Sequence, residues 1–310
     1  MVTHLFNRVY QFINDELLAL WDWPEFEAIL ANRQQIRNCT ASAWVDVLPS
    51  LACAACGGDS ERSIPLAAAW SLYMLAGRIV DDIHDDEGKE HLWNAKGLKQ
   101  SLPTALFVMG LAHTALARLK PPDQVNSDIL DAYGRVLSAA ARAQRDRHSL
   151  SLDSLSVESY FSSLVSRTAA AFATSVWSGG KLANACPEVL EALYQYGLAV
   201  GIAIQIEDDC ADIVQSDLLA GIYTLPVIYG LSQTEHRSHS DLVAQLTTPG
   251  QLSISQANNI AAILTHMNAF AWSRQMAGIY RLKAVETLAA LPFEFDTGYL
   301  RDFALGNCQV

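Results

Sequence analysis

Two clusters of aspartates have the composition and spacing of a metal site. The first acidic cluster is Asp81, Asp82 and Asp85, and the second acidic cluster is Asp208, Asp209 and Asp212. Carboxylate oxygens are the ligands that hard divalent cations prefer, and Mg²⁺ combines a few of them with water and substrate phosphates. The six aspartates therefore predict a magnesium site for a phosphorylated substrate.

Each acidic cluster follows a long apolar stretch of sequence, so it falls at the end of a predicted buried helix. Positions four apart share a helix face, and like charges placed there destabilise a helix by a few tenths of a kcal/mol per pair, roughly. One such cluster could be a solvated helix end. Two clusters with the same spacing are better explained if they face each other across a cavity and share bound cations.

Other metal sites fit the sequence less well. Di-iron carboxylate bundles use Glu-x-x-His pairs, and none of the 13 glutamates has a histidine three residues later. Cys53 and Cys56 have zinc-ligand spacing, but no second Cys or His pair follows at the distance of a zinc finger. We interpret these two cysteines as small core residues.

The composition predicts helices as the elements that position the clusters. The chain has 44 alanines, against only 17 glycines and 10 prolines, a balance that favours helix over strands and tight turns. Apolar residues recur at three- and four-residue spacing within 16–29, 64–85, 127–144, 157–177, 187–213 and 257–291. We predict a single all-α domain over residues 1–310, a large helical bundle around a central active-site cavity.

Charge and cysteine usage narrow the possible partners and location. A net charge of −12 argues against nucleic acid or an anionic membrane as a partner. Six cysteines in 310 residues form no dense disulfide framework, which favours a reducing compartment, with the cytoplasm as the default. The uncharged stretch 100–117 barely reaches the ~18 residues of a span and contains Pro103 and Gly110, so no stable membrane span is expected. No secretory signal is predicted at the N-terminus.

The sequence around the second acidic cluster resembles the trans-isoprenyl diphosphate synthases and the related class I terpene synthases. Residues 201–212 follow the second acidic signature of that family, including Gln205 three residues before the first aspartate. Arg167 and Thr168 stand where the family has Lys-Thr. The resemblance implies an isoprenoid synthase fold, an allylic isoprenoid diphosphate as substrate, a homodimer, and three Mg²⁺ ions held with the diphosphate by the six aspartates.

The resemblance also implies substrate-binding residues. Arg167, Thr168 and Gln205 would bind at the diphosphate end, and Tyr73 would offer an aromatic face to a carbocation. Gly77 is small where short-chain members place bulky aromatics, which favours a deep pocket and substrates of fifteen to twenty carbons.

Several positions depart from the family pattern for isopentenyl diphosphate. Residues 32–38 lack the Gly-Gly-Lys-Arg-x-Arg-Pro stretch, Met74 replaces a histidine, Glu90-His91 replaces an Arg-Arg pair, and Ile222 replaces a lysine after the second cluster. Three or four charge-assisted contacts, each worth roughly 1.5–3 kcal/mol, would be lost from the isopentenyl site.

These departures lead to three functional hypotheses. The first is an Mg²⁺-dependent terpene synthase-like enzyme that ionises one allylic diphosphate, then cyclises or quenches the cation or transfers the prenyl group to another acceptor. The second is a chain-elongating polyprenyl diphosphate synthase, a prenyltransferase with a rebuilt isopentenyl site. The third is a non-catalytic partner subunit of a heteromeric synthase, which the intact acidic clusters count against.

Overall fold

Fifteen α-helices form the computed structural model, and its described residues contain no β-strand. The structure describes residues 1–38, 40–85, 88–146, 152, 155–164, 168–248, 250–289, 291–292 and 295–308. Helices make up 78% of the structure. The all-α prediction is confirmed.

The α-helices are numbered in chain order. Their bounds are α1 Val2–Phe12, α2 Pro24–Arg37, α3 Ala41–Asp46, α4 Leu48–Ala55, α5 Ile64–His84, α6 Leu98–Ala117, α7 Asp123–Asp146, α8 Val157–Leu164, α9 Ala170–Leu182, α10 Pro187–Asp212, α11 Leu225–Ser232, α12 His239–Leu246, α13 Ile254–His266, α14 Ala269–Ala289 and α15 Gly298–Leu305.

The two helices that carry the acidic clusters match their predicted ranges within a few residues. α5 has a proline in its first turn, where a missing N–H costs nothing, and its last turn ends with the Asp85 N–H donating to the Asp81 carbonyl at 2.9 Å. α10 starts directly on Pro187 and ends on Asp212. Both acidic clusters therefore lie at helix C-termini, as the sequence predicts.

Two predicted helices are divided in the structure, and each division has a clear backbone cause. Pro24 starts α2 and keeps the preceding residue out of helical conformation, which breaks the predicted stretch 16–29. Asn268 has φ +55°, a left-handed conformation that ends one helix and separates α13 from α14. Within the predicted stretch 157–177, the described residues contain α8 and the first part of α9.

Residue contacts group the chain into two compact units. The first contains residues 1–132, 175–194 and 287–310, and the second contains residues 133–174 and 195–286. The prediction of one domain over residues 1–310 stays a prediction. Within the described chain, α10 is the one helix long and apolar enough to cross a membrane, but 56% of its most apolar window is buried, as in a core helix.

Two glycines on α10 set the close packing of the second unit. A Cβ at Gly197 would lie 2.5 Å from Ala173 Cα, and a Cβ at Gly201 would lie 2.8 Å from Ala169 Cα. Real Cβ atoms do not approach other atoms so closely, so glycine is required for this backbone contact. The contact brings the chain around Ala169 against α10, about two turns before the second acidic cluster.

Candidate active site

The first acidic cluster divides into an exposed side and a buried side at the end of α5. Asp81 is exposed and Asp85 is partly buried, whereas Asp82 is only 2% exposed. Residues four apart lie on one helix face, so Asp81 and Asp85 form a pair there. The structure therefore gives Asp82 different surroundings from its two neighbours.

Three side chains contact the buried Asp82 carboxylate. Arg78 Nε lies 3.0 Å from Oδ1, His91 Nδ1 lies 2.7 Å from Oδ2, and Trp93 Nε1 donates to Oδ2 at 2.8 Å. Arg78, which is four residues earlier on the same helix, thus forms an ion pair with the cluster itself. Asp85 in turn contacts His84, with Nδ1 and Oδ1 3.0 Å apart.

The second acidic cluster has the same division. Asp208 and Asp212 are exposed, whereas Asp209 is 5% exposed. Asp209 accepts hydrogen bonds from Gln205 Nε2 at 2.9 Å and from the Tyr160 hydroxyl at 2.5 Å. In each cluster, therefore, the middle aspartate is buried and contacts both a side chain four residues earlier and an aromatic N–H or O–H donor.

Two residues predicted to bind substrate join the network of the second cluster. Thr168 Oγ1 donates to Gln205 Oε1 at 3.0 Å, and Gln205 in turn donates to Asp209. Tyr160 completes the network but was missed by sequence reasoning. It is 49 residues from Asp209 in the chain, so no local spacing could have indicated the contact. Arg167 lies outside the described residues.

The first and third aspartates of each cluster fit Mg²⁺ by their chemistry and number. Among the described residues, no group of three or more His, Cys, Asp or Glu side chains is arranged to hold a metal ion. Pairs of carboxylates remain, and Mg²⁺ characteristically binds to one or two carboxylates and completes its shell with water and phosphate oxygens. The Asp81–Asp85 pair and the Asp208–Asp212 pair each meet that requirement.

Neighbouring groups on α10 do not offer further metal ligands. Burial raises the pKa of the Cys210 thiol to about 11, so this residue is neutral near pH 7. The carboxylate of Glu207 accepts two hydrogen bonds from Arg281 at 2.9 and 2.6 Å, which commits it to an ion pair with α14.

The two remaining predicted residues lie on α5. Tyr73 is buried, its hydroxyl oxygen lies 3.3 Å from His113 Nδ1, and burial raises its pKa above the ordinary range. Gly77 is exposed, and a Cβ there would meet no atom within 4 Å. Open space therefore lies one turn before Asp81, where the sequence predicts a deep pocket.

A separate cleft of about 750 Å³, which Leu18 and Trp21 help to line, contains none of the predicted site residues.

Comparison with known proteins identifies the family. Residues 34–264 match the family described as Polyprenyl synthetase. The chain belongs to the polyprenyl synthetase family. It is 25% identical to the geranylgeranyl diphosphate synthase of Saccharolobus solfataricus over an alignment 336 positions long, which covers 98% of this chain and 95% of that protein. It is 24% identical to component 2 of the heptaprenyl diphosphate synthase of Geobacillus stearothermophilus over 261 residues, which cover 80% and 79%.

A solved structure shows the same fold. The geranylgeranyl pyrophosphate synthetase of Pyrococcus horikoshii superposes with a TM-score of 0.79 at 22% identity, and the match covers 97% of each chain. The family resemblance predicted from the sequence is thus confirmed. The relatives of this polyprenyl synthetase are prenyltransferases, which supports the prediction that it is an enzyme. The hypothesis of ionisation without isopentenyl diphosphate is not confirmed, and the comparisons favour the chain-elongating alternative.

The arginines of region 32–38 in this polyprenyl synthetase are committed to a buried carboxylate. Arg37 donates from Nε and Nη2 to Asp46 at 2.7 and 2.9 Å, and Arg33 Nη2 donates at 3.2 Å. The Tyr10 hydroxyl also donates to Asp46, which is fully buried. The sequence predicts that this region has lost basic contacts to a second diphosphate. The two arginines that remain there form an internal ion-pair network with Asp46.

Proposed function

We propose that the protein is a chain-elongating, Mg²⁺-dependent trans-polyprenyl diphosphate synthase that joins an allylic diphosphate to isopentenyl diphosphate. Membership of the polyprenyl synthetase family and the names of the relatives support the reaction class. The observation that carries the proposal is that each acidic cluster keeps its first and third aspartates apart from the buried middle one, Asp81 with the partly buried Asp85 and Asp208 with Asp212. A protein without catalytic function has no need to keep such repulsive pairs.

The chain's own residues would bind, orient and shield the allylic substrate. The first and third aspartates of each cluster would hold Mg²⁺, which when bound offsets the charge of a leaving diphosphate. Thr168 and Gln205 would keep the second acidic cluster in position beside the diphosphate, through their hydrogen bonds to each other and to Asp209. The allylic carbon–oxygen bond breaks, the diphosphate leaves with the bonding electrons, and the allylic carbon bonds to the alkene of isopentenyl diphosphate, whose condensed product then loses a proton.

Product chain length tests this proposal. Geranyl, farnesyl and geranylgeranyl diphosphates are each incubated with isopentenyl diphosphate and Mg²⁺, and the products are analysed by mass spectrometry. We expect at least one primer to yield diphosphates longer by five carbons or multiples of five. Recovery of only unextended diphosphates, alcohols or hydrocarbons would contradict chain elongation.

A second candidate function is ionisation of an allylic diphosphate without isopentenyl diphosphate. The contacts of Arg33 and Arg37 with Asp46, and of His91 with Asp82, favour it because they occupy the side chains at sequence positions where the resemblance places the isopentenyl diphosphate site. If those contacts persist, an isopentenyl site must be built from other residues. Cyclic or hydrolysed products from an allylic diphosphate alone would support this candidate.

Metal removal should abolish activity. The proposed metal ligands are all carboxylates, and an anionic diphosphate is repelled by them in the absence of a cation. We expect excess EDTA to lower turnover to background and added Mg²⁺ to restore it. Full turnover in EDTA would contradict metal dependence.

We propose that the protein is a soluble cytoplasmic homodimer. Leu98, Leu102 and Leu106 are exposed at four-residue spacing on α6, which places them on one helix face. The five described cysteines are free thiols, which suits a reducing compartment.

Sedimentation velocity tests the dimer. We expect a dimer of about twice the 33.9 kDa chain mass at micromolar concentration. Leu106→Lys should shift it towards monomer because it places charge on the exposed apolar face of α6. A stable monomer for the unsubstituted protein would contradict the homodimer, and dimerisation only with a second, different chain would favour a heteromeric synthase.

A further inference from the structure

Asp82 is held by groups that come from both sides of it in the chain. Arg78 precedes it by one helical turn, while His91 and Trp93 follow it in the segment after α5. A buried carboxylate is stable only if its oxygens are paired and hydrogen-bonded. These three contacts supply that pairing for both Asp82 oxygens.

The segment 88–94 is shaped to fit the Asp82 carboxylate. Gly88 has φ +64°, and a Cβ there would lie 2.1 Å from Asp82 Oδ2, so glycine is required for two reasons. The backbone N–H of His91 donates to the Gly88 carbonyl at 2.9 Å. The centroids of the His91 and Trp93 rings lie 4.3 Å apart. The segment is tied to α6 in turn, because Gln100 Nε2 donates to the Leu92 carbonyl at 3.2 Å.

Fixing Asp82 fixes the last turn of α5. Asp81 is its neighbour, and the Asp85 N–H closes that turn on the Asp81 carbonyl. A rotation or fraying of the turn would have to break the buried contacts of Asp82. The Asp81 and Asp85 carboxylates therefore lie on a helical turn that the buried contacts of Asp82 hold in place.

We propose that Asp82 is a positioning residue, and that Trp93 and His91 hold it so that Asp81 and Asp85 are pre-arranged for Mg²⁺. The inference rests on the proposed function in one respect, namely that Asp81 and Asp85 bind the cation. It assigns to Asp82 a role different from direct metal binding, and it assigns a role to Trp93 that the acidic motif alone does not indicate. Partners that orient metal ligands typically change metal affinity 10- to 100-fold when they are removed.

Calorimetric titration with Mg²⁺ in the presence of inorganic diphosphate tests the inference without a turnover assay. Trp93→Phe keeps an aromatic ring and removes the indole N–H that Asp82 accepts. We expect the half-saturating Mg²⁺ concentration to rise about tenfold. The kcat at saturating Mg²⁺ should change less than the Mg²⁺ requirement.

Trp70→Phe is the matched control. Trp70 lies on α5 and, like Trp93, is buried and donates its indole N–H. Its acceptor is the Val45 carbonyl, at 2.7 Å, and not an aspartate. Both variants lose a buried hydrogen bond and should unfold at lower temperature than the unsubstituted protein. Only Trp93→Phe should weaken Mg²⁺ binding, which separates a positioning role from a general loss of stability.

Two aspartate variants distinguish anchoring from metal binding. In metal-free protein, Asp82→Asn should lower the unfolding temperature and Asp81→Asn should not, because only Asp82 is buried. Asp81→Asn should abolish the stabilisation by Mg²⁺ and diphosphate. Equal Mg²⁺ affinity in Trp93→Phe and Trp70→Phe, or an unchanged unfolding temperature in metal-free Asp82→Asn, would overturn the positioning role. Absence of Mg²⁺ binding to the unsubstituted protein would instead overturn the proposed function.

Discussion

Replacing Asp81 or Asp208 by alanine is expected to lower turnover by about a thousandfold or more. Each substitution removes one exposed carboxylate of a proposed metal-binding pair, and metal stabilisation of the leaving charge is worth several kcal/mol, where ~4 kcal/mol corresponds to ~10³ in rate. The free energy of unfolding should stay within about 0.5 kcal/mol or rise slightly, because each change relieves like-charge repulsion on a helix.

Steady-state kinetics and thermal unfolding of the purified variants check both parts of this expectation. Asp302→Ala is the matched control, since Asp302 is an exposed aspartate on α15 outside both acidic clusters. It should retain full turnover. Unchanged turnover in Asp81→Ala and Asp208→Ala together would refute the assignment of both clusters.

Asp46→Ala is expected to lower the free energy of unfolding by about 3–5 kcal/mol. Asp46 is fully buried and pairs with Arg33 and Arg37, so its removal leaves two largely buried guanidinium groups without their counter-charge. The Tyr10 hydroxyl would lose its acceptor as well. Urea unfolding followed by circular dichroism measures the effect, and exposed Asp302→Ala again serves as control. A loss below about 1 kcal/mol would show that the network does not hold these helices together.

The sequence predicts the helices that carry the site better than it predicts their interruptions. α5 and α10 are recognisable because a long, mainly apolar stretch leads into each acidic cluster. The break at Asn268 depends on one residue in a left-handed conformation, which asparagine tolerates but does not require.

The roles within each acidic cluster could not be predicted from spacing alone. The spacing indicates that the first and third aspartates share a helix face, but α5 is apolar nearly all round, so its pattern does not show which side of the last turn is buried. Trp93 and Tyr160 hold the middle aspartates. Trp93 comes from a short 3₁₀-helix after α5, and Tyr160 comes from α8, which is distant in sequence from α10. Only tertiary structure brings them to the carboxylates.

The rate of inorganic diphosphate release from farnesyl diphosphate, measured with and without isopentenyl diphosphate, tests the proposed function most directly. A chain-elongating synthase should release diphosphate at a rate that rises saturably with isopentenyl diphosphate and is at background without it. The expected product is lengthened by five carbons for each diphosphate released. Release at the same rate without isopentenyl diphosphate, and with no lengthened product when it is present, would contradict elongation and establish ionisation of the allylic diphosphate alone.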